Sequence, residues 1–105
     1  MTKRTPIARL QDILSNIQNV DEFLKDKTLA DFKSDALLRL AVERALEIIS
    51  EASRHIPDRE KARYPDIPWQ DVKSIGNVLR HDYQRLDAEL IWAVERHILR
   101  PANTV

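Results

Sequence analysis

Apolar residues recur along this chain at spacings of three and four, the period of an α-helix packed on one side. The first run starts at Thr5-Pro6, a capping residue followed by a proline suited to the first helical position. Its stripe is Ile7, Leu10, Leu14, Ile17, Val20 and Leu24. A second run is predicted from near Thr28 to about His55. Its stripe is Leu38, Val42, Ala45, Ile49 and Ala52, thickened by Leu37, Ala41 and Ile48. Pro57 ends it. A third helix is expected from Pro68-Trp69 to about Arg85. A fourth is expected from near Asp87, with Leu90, Ile91, Val94 and Ile98 inward and Pro101 as its stop. Residues 56–67, with Pro57 and Pro65, form the one long connection. No stretch alternates apolar and polar between turn residues, so strands are not expected. Four helices with mostly short links predict an all-α, antiparallel four-helix bundle.

Composition narrows the class. The 105 residues carry 43% hydrophobic and 32% charged side chains, which suits one globular domain spanning 1–105. There is no cysteine. Disulfides, thiolate catalysis and cysteine-bound zinc are excluded, and a reducing, cytoplasmic setting is expected. No run of apolar residues is long enough to span a membrane, and no secretory signal follows the basic start. The 17 basic and 17 acidic residues cancel, which argues against a strong non-specific nucleic-acid binder. A local basic patch remains: Arg54, Arg59, Lys61 and Arg63 stand against Asp58 and Glu60. Either a solvated loop or an RNA contact fits it.

Chemistry concentrates in the third helix, in the run Ile75-Gly76-Asn77-Val78-Leu79-Arg80-His81-Asp82-Tyr83. Gly76 is the one glycine of the chain, and glycine inside a helix costs about 1 kcal/mol relative to alanine. At about 100° per residue, Val72, Gly76, Leu79 and Tyr83 share the apolar stripe, flanked by Ile75. Ser74, Asn77, His81 and Gln84 fall on the opposite side. Gly76 therefore suits close approach of another helix. An imidazole at His81 suits general acid–base chemistry near neutral pH. Asn77 could orient it or bind a phosphate oxygen, and Arg80, angled between the two faces, could hold a phosphate. Each of these residues also fits a plain solvated face. Tyr83 on the apolar stripe also fits a packed ring with its hydroxyl at the rim. His55 follows Glu51 by four residues near a helix end, where the dipole favours a protonated ring. His97 fits a half-buried position. The three histidines share no metal-ligand spacing, and no metal or cofactor is expected.

These residues together resemble the HepT-like branch of the HEPN superfamily. The resemblance rests on Pro65-Asp66-Ile67-Pro68-Trp69, on the run from Ile75 to Tyr83, and on Leu86-Asp87 and Trp92. Upstream, Asp35, Ala41-Val42-Glu43-Arg44 and Ile48-Ile49-Ser50-Glu51-Ala52 are similar to the family's second helix. The resemblance covers roughly residues 5 to 100. It implies an all-helical homodimer that acts as a metal-independent endoribonuclease, the toxin of a toxin–antitoxin pair. It also implies a small nucleotidyltransferase antitoxin that silences the toxin by adding AMP to the tyrosine. The family motif is Arg, four residues, His, one residue, Tyr. Carried over, the histidine is His81, the tyrosine is Tyr83 and the polar residue after the arginine is Asn77. The arginine's own place is held by Gly76. Arg80 could reach the same phosphate from another angle; alternatively, the chain is a binding subunit without catalysis. Position 76 likewise has two readings, a helix contact or the border of an open cleft. Trp69, Trp92 and the Gly76 stripe offer more apolar surface than one small core needs, which also points to a homodimer.

Overall fold

A computed structural model describes residues 5–65, 67–81, 91–93 and 95–96. Five helices are described within them: α1 (Pro6–Leu24), α2 (Leu29–Ser34), α3 (Ala36–Arg54), α4 (Asp58–Lys61) and α5 (Trp69–His81). Residues 91–93 are helical as well. No strand occurs among the described residues, in agreement with the all-α expectation. The expected fourth-helix start at Asp87 and its stop at Pro101 lie outside the described residues. No helix among those described is long and apolar enough to cross a membrane.

The first helix starts where the sequence places it. The Thr5 hydroxyl accepts the Ala8 N–H at 3.1 Å, with Pro6 opening the helix. Its buried line differs from the expected stripe. Leu10, Ile13, Ile17, Val20 and Leu24 face the core, whereas Ile7 is 67% exposed. At helical rotation Leu14 lies about 80° and Ile7 about 100° from the centre of that buried line. Ile13 takes the place that Leu14 was expected to hold.

The expected second helix is two helices. Thr28 and Asp31 form a reciprocal capping box at the start of α2. The Thr28 N–H, and then its side chain, hold the Asp31 carboxyl below the usual carboxylate range. The chain then breaks at Asp35, whose backbone is extended and whose carboxylate accepts the Leu38 N–H at 3.0 Å. Ser34-Asp35 offers the backbone a cap in mid-pattern, and the cap wins over continuity. Arg39 ties the pieces together by donating to the carbonyls of Phe32 and Lys33 at the end of α2. Asp35→Ala is expected to cost about 1 kcal/mol, lowering the melting temperature by roughly 4 °C; thermal unfolding followed by circular dichroism checks it.

The face that α3 buries is the expected stripe, with Leu38 packed against the core and Leu37 alone turned out of it. Val42, Ala45, Leu46, Ile49 and Ala52 lie in the core. Leu37 is 78% and Leu40 63% exposed, while Leu46 is 1% exposed. α3 is the central helix, packed against α1, α5 and α2. Phe32, fully buried on α2, meets Trp92 with ring centroids 5.9 Å apart, a tilted aromatic pair. Ile91 joins the same core, so the chain after α5 returns to the α2 side of the molecule. The turn before α2 is taken by Asp26 at φ 60, a left-handed position that aspartate tolerates better than most residues.

Half-buried Glu43 sits on α3 with its carboxyl pushed above the usual range, first by desolvation, opposed by Arg39 and reinforced by Glu47. The folded chain therefore holds this proton more tightly than the unfolded chain. Its contribution to stability is complete below the ordinary glutamate range and is lost as pH rises through the raised value. Glu43→Gln is expected to raise the melting temperature slightly at pH 7 and to leave it unchanged below pH 4. Thermal melts at the two pH values measure the difference.

Candidate functional site

α5 is the element that holds the candidate residues Asn77, Arg80 and His81. Pro68 begins it: the Val72 N–H donates to the Pro68 carbonyl at 3.0 Å. Trp69 anchors the start. Its indole N–H donates to the carbonyls of Lys61 and Tyr64, both at 3.1 Å, and Lys61 lies over the ring at 5.6 Å. The end of α4 and the start of α5 are thus locked together. Residues 56–67, expected as a loop, include the α4 turn for the same reason.

Val72, Ile75 and Gly76 are buried. They fix the rotation of α5, because this face packs in the core beside α3. Gln70, Lys73 and Ser74 are exposed on the other side. Helical register places positions 77 and 81 on that second side and position 80 at its edge. Asn77, Arg80 and His81 therefore share one helix, within two turns. Tyr83 lies outside the described residues.

Gly76 is buried, which favours the helix-contact reading of this position over the border of an open cleft.

The secondary histidine is placed as expected. His55 caps the end of α3, and its Nε2 lies 3.0 Å from Glu51 Oε1. Glu51 also meets Arg54 at 3.4 Å. Both pairs are exposed and contribute little to stability. His97 lies outside the described residues.

A cluster that sequence reading did not assemble lies at the junction of α3, α4 and α5. Ser53, Arg54, Lys61 and Lys73 line an open pocket of about 280 Å³. Arg54 and Lys61 belong to the basic stretch of the sequence. Lys73 joins them from α5, nineteen positions after Arg54, and no sequence spacing links the two.

The described residues are those of a helical protein whose candidate site residues Asn77, Arg80 and His81 stand on one helix, with buried Gly76 in the same run. Comparison with known proteins gives the family. The profile described as Ribonuclease HepT-like matches residues 13–104. Putative RNase MJ1380 of Methanocaldococcus jannaschii is 40% identical over 94 residues, covering 90% of this chain and 86% of that protein. Probable ribonuclease HepT of Thermococcus cleftensis is 38% identical over 90 residues, covering 86% and 82%. Putative RNase TTE0752 of Caldanaerobacter subterraneus is 30% identical over 89 residues, covering 85% and 80%. The chain belongs to the ribonuclease HepT-like family of the HEPN superfamily. No solved structure matches it.

Proposed function

We propose that this chain is a metal-independent endoribonuclease with His81 as its acid–base group. The observation that carries the reading is the coincidence of two facts. The family match spans α5, and α5 turns Val72, Ile75 and Gly76 inward, which leaves the register positions of Asn77 and His81 on the outer side. His81 takes the proton of a ribose 2′-hydroxyl or gives one to the leaving 5′-oxygen. The 2′-oxygen attacks the adjacent phosphorus, the bond to the 5′-oxygen breaks, and the products are a 2′,3′-cyclic phosphate and a 5′-hydroxyl. Arg80 stabilises charge on the phosphorane oxygens and Asn77 positions the phosphate. The bundle works as a homodimer, with the exposed apolar side chains Ile7, Leu37 and Leu40 available to a second copy. Its control comes from a small nucleotidyltransferase antitoxin that adds AMP to Tyr83, and the pair acts in the cytoplasm as a toxin–antitoxin module.

The test is cleavage of single-stranded RNA by purified protein in the presence of EDTA, with the product ends identified by mass. Cyclic phosphate ends are the expected result. No cleavage, or cleavage abolished by EDTA, overturns the reading. Light scattering that shows a monomer at micromolar concentration removes the dimer.

A second reading has its own observation. Gly76 stands where the family motif has arginine, and it is buried. A HepT-like chain that lacks this phosphate ligand suits a binding subunit that holds a nucleotidyltransferase or RNA without cutting. RNA binding without product ends in the same experiment selects it.

A further inference from the structure

We propose that the pocket between α3, α4 and α5 is a phosphate subsite for the RNA strand, distinct from the cleavage position and resting on the ribonuclease reading above. Among the described residues that line it are three cations, Arg54, Lys61 and Lys73. The chain as a whole carries no net charge, so this concentration of positive charge is local.

The three cations differ in how far their charge is already compensated. Arg54 meets Glu51 at 3.4 Å, and Glu51 is shared with His55. Lys61 and Lys73 form no ion pair among the described residues. Lys61 rests over the Trp69 ring, which orients its stem and leaves the ammonium charge in place. The indole is itself fixed by two hydrogen bonds, so this cation is held and not merely tethered. Ser53 forms the buried floor. Its hydroxyl proton is committed to the Ser50 carbonyl at 2.7 Å, so recognition falls to the cations.

Size and position select the ligand. At about 280 Å³ and open to solvent, the pocket falls at the low end of small-molecule sites. It suits one charged group of a longer ligand better than a whole nucleotide. Lys73 is one turn before position 77 and two turns before positions 80 and 81 on the same helix. The rise along α5 separates the Lys73 backbone from that of His81 by about 12 Å. A single strand lying along α5 would reach both places, one phosphate in the pocket and another at the cleavage position.

The experiment measures binding of a fluorescein-labelled, 2′-O-methylated single-stranded RNA by anisotropy across a salt series. Methylation removes the nucleophile, so binding is read without cleavage. The parent is compared with Lys73→Glu and with Lys61→Gln/Lys73→Gln; Lys73 is exposed, and thermal melts confirm that both variants fold. The expected result is at least about fivefold weaker binding and a salt slope lower by about 0.7 for each phosphate that is no longer neutralised. Parent-like affinity and slope in both variants overturn the subsite and leave the ribonuclease reading standing if the parent cleaves RNA. Full displacement of the RNA by equimolar inorganic phosphate or AMP also overturns it, in favour of a free-anion site. If the parent neither binds nor cleaves RNA, the ribonuclease reading fails and the subsite with it.

Discussion

His81→Ala is expected to lower RNA cleavage by a factor of about 10²–10⁴ or more, the range that a positioned acid–base group supplies. The same variant is expected to melt at the temperature of the parent. The physical reason is the rotation of α5. Val72, Ile75 and Gly76 take the inner face, and position 81 is on the other side at helical register. Removing an imidazole from that side costs chemistry and little packing. Cleavage at the parental rate would remove His81 from the mechanism. A variant that unfolds would show that the ring is part of the core. His81→Gln offers a further reading, since it keeps hydrogen-bonding capacity and loses the titrating group. If His81 works by proton transfer, the glutamine variant stays inactive and the pH dependence of the residual rate flattens near neutrality.

Gly76→Arg is expected to destabilise the chain by about 3 kcal/mol or more, a loss of roughly 12 °C in melting temperature. Position 76 is buried, and a guanidinium placed there would leave water without an identified partner to receive its charge. The alternative is an open position where arginine restores a phosphate ligand and raises cleavage. Burial argues against that outcome. Gly76→Ala separates close packing from plain helix propensity. Alanine gains about 1 kcal/mol in a free helix, so a lower melting temperature identifies a contact that has no space for a β-carbon. A higher one, together with a folded and more active Gly76→Arg, would show that the position faces a cleft. The two variants measured together decide whether the family's arginine place is closed in this protein, and so whether Arg80 must do that work.

The apolar period and the capping residues determined the helical class without help from the tertiary structure. Thr5-Pro6 starts α1 where both signals coincide, and Pro68-Trp69 starts α5. The polar and apolar sides of α5 were also legible. Val72, Ile75 and Gly76 fall within one narrow arc, and no other rotation of the helix buries all three. The α5 run, taken with Pro65 to Trp69, Leu86-Asp87, Trp92 and the segments from Asp35 to Ala52, pointed to the family, because each of these is a short stretch that needs no folding to be read.

Other features were settled only by packing. Leu37 was expected to thicken the α3 stripe, and packing against α1 and α5 leaves it 78% exposed while Leu46 is buried. Ile13 displaces Leu14 for the same reason, since a helix stripe is defined by its neighbours and not by its own sequence. The pocket of Ser53, Arg54, Lys61 and Lys73 was half visible as a basic stretch. Its last member comes from another helix, and only the docking of Trp69 against the end of α4 brings that lysine to the other two cations. Local periodicity is a property of a segment, whereas a site shared by three helices depends on how they dock, which no single segment encodes.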